Sequence, residues 1–129
     1  MEDSYQLTEL QLSVMRVLWD RPEATVAEVH GALSDRALAT TTVATLLKRL
    51  EKRGLLTHRT EGRQFVYAAA VSESAVRRSM VSDLTDRLFS GDVTALLSHL
   101  LRDGEMEPGD LSRVKSLIER YEEESHGSD

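Results

Sequence analysis

Between Thr40 and Gly54 the apolar positions Val43, Leu46, Leu47 and Leu50 recur at i, i+3, i+4 and i+7, one stripe down a helix of period 3.6. The opposite side carries Thr41, Thr42, Thr45, Lys48, Arg49 and Lys52, all hydrogen-bond donors and none acidic. Gly54 stops this helix, because glycine takes the left-handed conformation past a helix end without a Cβ penalty. Two short β-rich runs follow, Leu55–Arg59 and Gln64–Tyr67, and the Thr60–Arg63 stretch between them holds Gly62, so they read as a hairpin.

Two shorter helical patterns come first. Thr8 and Gln11 have capping-box spacing, with Leu7 and Leu12 as a hydrophobic staple. They open a helix with Leu10, Val14, Val17 and Leu18 inward, widened by Leu12, Met15 and Trp19. It ends before Arg21-Pro22, since a residue preceding proline avoids the helical region. Thr25 and Glu28 repeat the capping-box spacing and start a helix with Val26, Val29 and Leu33 inward. Residues 34–39 turn into the donor-bearing helix. Two short helices on a tight link have helix-turn-helix spacing, and a basic hairpin directly after them makes a winged helix-turn-helix. Trp19, Phe65 and Tyr67 are assigned to its core.

Downstream the pattern is helical. Ser72 caps a helix with Val76, Met80, Leu84 and Leu88 at four-residue steps, closing near Gly91. Asp92 caps the next, with Val93, Leu96, Leu97, Leu100 and Leu101, ending at Gly104. Pro108 suits a first helical turn and opens the last, with Leu111, Val114, Ile118 and Tyr121, before an acidic tail expected to fray. Three such helices form a sparse core alone. Leu84, Leu88, Leu96, Leu97, Leu100, Leu101, Leu111, Val114 and Ile118 are therefore read as dimerisation positions; the alternative is an intramolecular bundle against the winged helix. The expected architecture is mostly α with a small β-hairpin: a winged-helix DNA-binding domain over 1–71 and a helical dimerisation region over 72–129.

Charge sharpens this picture. The chain carries −6 overall, all of it after residue 70, whereas residues 36–67 hold seven Lys/Arg against Glu51 and Glu61, a local +5. Screening over about 8–10 Å lets such a patch attract phosphate while the acidic half faces away. Cysteine is absent, which removes disulfides, thiolate metal sites and cysteine nucleophiles. No apolar run is long enough to span a bilayer and no targeting segment is evident, so a cytoplasmic protein without membrane insertion is expected. Nucleophile-elbow, phosphate-loop, metalloprotease and EF-hand motifs are all missing. His30, His58, His99 and His126 are scattered and read as surface or wing residues, with His58 a candidate phosphate contact when protonated. No enzyme, metal site or cofactor is expected.

Four motifs together resemble the penicillinase-repressor (BlaI/MecI-type) family. They are L-T-x-L-Q-L-x-V-M-x-x-L-W (Leu7–Trp19), T-V-A-E-V (Thr25–Val29), T-T-V-x-T-L-L-x-R-L-x-K-R-G (Thr41–Gly54) and G-R-x-F-x-Y (Gly62–Tyr67). The resemblance implies a homodimeric winged-helix repressor on a palindromic double-stranded operator, with Thr41–Arg49 of each protomer in the major groove. It also implies release by cutting the C-terminal region, triggered by a membrane sensor protease that detects β-lactams. The Asn-Phe bond cut in one branch of the family has Ser98-His99 as its approximate counterpart here. The cysteine-rich metal site of the copper-responsive branch has no counterpart.

The expected function is sequence-specific transcriptional repression. Lys48, Arg49, Lys52, Arg59 and Arg63 are assigned to phosphates, and Thr41, Thr42 and Thr45, aided by Arg49, to base edges. Two other uses of this scaffold stay open: a protein-interaction module whose basic patch docks an acidic partner, and a ligand-responsive regulator with an effector pocket among the C-terminal helices.

Overall fold

The computed structural model describes residues 5–103 and 106–127. Its elements run α1 (Glu9–Asp20), β1 (Ala24–Thr25), α2 (Val26–Ala32), a 3-10 turn (Ser34–Arg36), α3 (Thr40–Lys52), β2 (Leu56–Glu61), β3 (Gln64–Ala69), α4 (Glu73–Phe89), α5 (Val93–Arg102) and α6 (Pro108–Gly127). The chain divides into two compact units, residues 1–81 and 82–129.

Both capping boxes form. Thr8 Oγ1 accepts from the Gln11 amide at 3.1 Å while the Gln11 side chain accepts from the Thr8 amide at 3.0 Å. Thr25 and Glu28 exchange the same pair of bonds at 3.2 and 2.8 Å. Each box satisfies two of the amides that a helix start leaves unpaired. Helix α1 buries Val14, Met15 and Leu18 with Ser13, so Met15 lies at the centre of its stripe rather than at its edge.

The first unit closes around Val14, Met15, Val29, Val43, Leu47, Leu50, Leu55, Leu56, Tyr67 and Val76, with Ala24, Leu18 and Leu33 beside them. Its sheet has three antiparallel strands in the order β1-β3-β2. The register sets Ala24 against Tyr67, Thr25 against Val66, and Leu56 to Glu61 against Ala69 to Gln64. The third strand, β1, has no two-residue periodicity to announce it and was not anticipated. The hairpin is also longer than expected, because Thr60 and Glu61 pair with Phe65 and Gln64 and leave a two-residue loop, Gly62-Arg63. Gly62 at φ +63° supplies the positive φ that a primed hairpin turn needs.

One core assignment changes and another is refined. Phe65 is 41% exposed and stacks on His58 with ring centroids 4.1 Å apart. Trp19 packs against the core as expected but is only partly buried; its indole N–H donates to the Val71 carbonyl at 2.9 Å and ties the exit from β3 to α1. The opening of α4 belongs to this unit, with Val76 buried and Ser72 Oγ accepting from the Ala75 amide at 3.0 Å.

The second unit has a different character. Asp92 caps α5 through the Ala95 amide at 3.1 Å, and His99 pairs with Asp103 at 2.9 Å. Gly104, the expected end of α5, lies outside the described residues. Helix α6 continues to Gly127 instead of fraying after Tyr121, since glutamates 122–124 are good helix formers. The only described residue buried beyond Val81 is the polar Thr85.

Two substitutions test the first unit by chemical denaturation. Leu47→Ala, in the sealed core, lowers stability by about 2–5 kcal/mol. Thr25→Ala, which removes the α2 cap, lowers it by about 1 kcal/mol.

Candidate nucleic-acid interface

With Val43, Leu47 and Leu50 fully withdrawn from solvent, the far side of α3 is fixed. Thr41, Thr42, Thr45, Lys48, Arg49 and Lys52 are all exposed there. The helix end is a Schellman motif: the Gly54 amide donates to Glu51 O at 2.9 Å and the Leu55 amide to Leu50 O at 3.0 Å. Gly54 stands at φ +85°, and Leu50 and Leu55, the apolar pair that accompanies this motif, are both fully buried. The chain therefore leaves α3 in one direction only and passes into β2.

At its start α3 differs from α1, α2 and α5: its cap residue, Ala39, offers no side-chain acceptor. The first-turn amides, beside Thr40 to Thr42, present the positive end of the helix to solvent. Thr45 Oγ1 donates to Thr41 O at 3.0 Å, which aims its lone pairs and methyl outward. The turn before α3 is held by His30, whose Nε2–H donates to the Leu38 carbonyl at 2.8 Å. That histidine, read from sequence as a surface residue, is half-buried and structural. Ala37 in this turn takes φ +54°, unusual for a residue with a Cβ.

Between α3 and the hairpin runs an open groove of about 450 Å³. Val26, Ala27, Ala44, Phe65 and Tyr67 contribute apolar surface to it, and Lys48, Arg63 and Gln64 stand along it. A lysine from the helix and an arginine from the hairpin loop thus share one channel.

The basic patch does not act as a block. Arg36 donates from both terminal nitrogens to the two Glu9 carboxylate oxygens, at 2.9 and 2.8 Å, and to Ser13 Oγ at 2.7 Å. Arg53 donates to the Gln6 carbonyl at 2.8 Å. Arg59 grips Glu23 with Nε and Nη2, both at 2.8 Å, and Glu61 with Nη1 at 2.9 Å. His58 Nδ1 lies 2.7 Å from Glu51. Lys48, Arg49, Lys52 and Arg63 have no ion-pair partner among the described residues. Three of these four lie on α3 and one on the hairpin loop.

The pairings shift the acids concerned. Hydrogen bonds from Arg36 and from Arg59 hold Glu9 and Glu23 below the ordinary glutamate range, and the Thr25 backbone amide does the same for Glu28. Arg59 is raised by its bonds to Glu23 and then Glu61, and burial followed by the Glu51 charge raises Tyr67.

The positions assigned to dimerisation lie on the second unit. Leu84, Leu88, Leu97, Leu101, Leu111 and Ile118 are exposed, Leu88 by 70%, and Leu96, Leu100 and Val114 are half-buried. Val93, Leu117 and Tyr121 extend the exposed apolar surface. Leu117 was missed although it sits beside Ile118, because a 3-4-3 reading takes only one residue per turn. Among the described residues no group of His, Asp or Glu could hold a metal ion, and no helix is long and apolar enough to cross a membrane.

Comparison with known proteins places this geometry. The profile of the penicillinase repressor family matches residues 7–120. A transcriptional regulator, BlaI, of Mycobacterium tuberculosis is 38% identical over 118 residues, covering 88% of this chain and 86% of its own. The penicillinase repressor of Bacillus licheniformis is 26% identical over 117 residues, covering 90% and 91%. A solution structure of the DNA-binding domain of the repressor BlaI superposes with a TM-score of 0.51 at 37% identity, covering 58% of this chain and 93% of that one.

The depressed carboxylates give stability a sign with pH. Their contribution is full above the ordinary value of 4.5 and is lost as pH falls through the lower folded values. Thermal melts from pH 7 to pH 3 therefore show a falling midpoint, and the double variant Glu9→Gln, Glu23→Gln shows a shallower fall. An unchanged slope in that variant would assign the acid sensitivity elsewhere.

Proposed function

The chain belongs to the penicillinase repressor family, and from that premise we propose that it is a DNA-binding transcriptional repressor acting as a homodimer on a palindromic operator. The observation that carries this reading is the outer face of α3. Three exposed threonines near its open N-terminal end are followed by three unpaired cations, with a fourth, Arg63, across the groove. A major groove about 12 Å wide admits such a helix, and base edges meet its N-terminal residues. Threonine suits that position because its hydroxyl serves either hydrogen-bond sense and its methyl packs on the thymine methyl. Lys48, Arg49, Lys52 and Arg63 neutralise the flanking phosphates, about four per protomer, so affinity falls steeply with salt.

The homodimer reading rests on the second unit. It exposes leucines, isoleucine and tyrosine along three helices and, among the described residues, fully buries no apolar side chain within one chain. Surface of this kind marks an interface. The proposed division is a winged-helix domain over 1–71 and a dimerisation region over 72–129; the two compact units part later, within α4 between Val81 and Ser82, so the opening of α4, with Val76, packs in the first unit. Two α3 helices would then meet half-sites about one turn of DNA apart, roughly 34 Å. Repression follows by occupancy: a dimer seated over a promoter excludes polymerase.

Relief through a sensor protease acting at Ser98-His99 would meet an obstacle. That bond lies inside α5, and His99 is held by Asp103 and packed near Phe89. Proteolysis favours exposed loop backbone, so cutting there requires α5 to unwind first.

A gel shift on the protein's own promoter, with excess random DNA and a salt series, tests the function. A discrete, competitor-resistant complex is expected. Arg63→Ala weakens binding to all sequences alike and reduces the salt slope by about one per protomer. Thr42→Ala relaxes choice at one position per half-site, by about 1–3 kcal/mol; equal loss on cognate and random DNA overturns its base-reading role. For the dimer, Leu97→Glu with Ile118→Glu yields a folded monomer in sedimentation velocity, since both side chains are already exposed in the single chain. Persistence of the dimer in that variant refutes the assigned interface.

A further inference from the structure

Arg59 and His58 are consecutive on β2, so their side chains leave opposite faces of the sheet. Each lands on a carboxylate from a different part of the helix-turn-helix. His58 meets Glu51 of α3 and lies stacked on Phe65, on the face that Tyr67 shares. Arg59 meets Glu23, the residue immediately before β1, with both oxygens gripped at 2.8 Å. Its remaining terminal nitrogen donates to Glu61, the last residue of β2 before the Gly62-Arg63 loop.

We propose that Arg59 and Glu23 form a positioning clamp that fixes the hairpin against the helix-turn-helix, and that Arg59 makes no phosphate contact. This refines the DNA-binding reading above and rests on it for its functional consequence. Strand β1 is only two residues long and pairs with β3 at Ala24–Tyr67 and Thr25–Val66 alone. A two-residue ladder is weak by itself. Yet Thr25 also caps α2, so the same short strand must register the hairpin and start a helix. The planar guanidinium spans Glu23 on one side and Glu61 on the other, tying the strand that leads into α2 to the loop end of β2. Its charge is met by two carboxylates, so the local field around it does not attract a phosphate. Arg63, two residues beyond Glu61 and unpaired, is left as the cation that the hairpin offers to DNA.

The test compares Arg59→Ala, Arg59→Lys, Glu23→Ala, the Arg59→Ala/Glu23→Ala double variant and Arg63→Ala in the full chain. The first readout is promoter affinity as a function of salt. The clamp predicts that Arg59→Ala and Glu23→Ala each weaken binding by about three- to ten-fold with an unchanged salt slope, and that the double variant is no worse than either. Arg59→Lys behaves like Arg59→Ala, because lysine keeps the charge but cannot bridge two carboxylates with a planar fork. Only Arg63→Ala lowers the slope, by about one per protomer. The proposal is overturned if Arg59→Ala lowers the slope likewise, if Arg59→Lys binds as the unaltered protein does, or if Glu23→Ala tightens binding by releasing Arg59.

The second readout needs no DNA. Amide hydrogen exchange in β1 and the facing part of β3 is expected to quicken in Arg59→Ala and Glu23→Ala but not in Arg63→Ala. Unchanged exchange in the first two refutes the clamp. Should the unaltered protein show no specific complex, the repressor reading fails while the exchange data still decide whether this pair holds the hairpin.

Discussion

The burial of Val43, Leu47 and Leu50 decides which face of α3 the protein shows. A helix advances about 100° per residue, so a slip of one position would turn charged and hydroxyl side chains into the core. All three are sealed from solvent, and each would leave a cavity if truncated. The Schellman end then fixes where the chain goes next, with Leu55 buried against the same core that receives Leu50. The loop carrying Arg63 and the groove lined by Lys48 are consequences of that one packing decision. The three threonines need no packing of their own; they are exposed because Val43, Leu47 and Leu50 turn the opposite face of α3 into the core.

Charge in the winged unit is divided between scaffold and surface. Arg36 and Arg59 each hold a carboxylate from a distant element, Glu9 before the core of α1 and Glu23 before β1. Exposed ion pairs contribute little to stability individually, and their value here is geometric, since bidentate forks fix direction as well as distance. Lys48, Arg49 and Lys52 on α3 and Arg63 on the hairpin loop stay without an ion-pair partner among the described residues. Of the seven basic residues over 36–67, two are neutralised by carboxylates and Arg53 is tied to a backbone carbonyl, which leaves those four as the cations without a hydrogen-bonded partner among the described residues.

Much of this was legible in the sequence, and the parts that were not share a cause. The period-3.6 stripe of α3, both capping boxes and the glycines at positive φ are local signals, and local backbone preference is what a single sequence encodes most directly. Strand β1 was invisible because two residues have no periodicity; it exists through its pairing with Tyr67 and Val66. Phe65 was placed in the core although it is exposed, because alternation gives the face of a strand and not whether a groove on that face stays open. His30, Glu23 and Arg36 could not be assigned because their partners lie 8 to 36 residues away in the chain, and charge pairing carries no period. The order of basic residues along the chain thus identified a patch without telling which of them it could spare.

The second unit presents the opposite physical problem. Its helices are well started, with Asp92 capping α5 and Pro108 opening α6, yet among the described residues they fully bury no apolar side chain within a single chain. Capping and propensity supply only part of a short helix's stability; most comes from packing an apolar face. In the proposed dimer the partner's stripes serve as that missing core, so association and the folding of this region are one equilibrium. In that proposal DNA occupancy would inherit it, because a second half-site is reached at a high effective concentration only while two winged units remain joined. A repressor built this way need not be altered at its DNA-contacting face to be released. In the proposed dimer, any event that unwinds α5 would remove the surface on which the partner packs and leave the intact winged unit with the modest affinity of a single half-site.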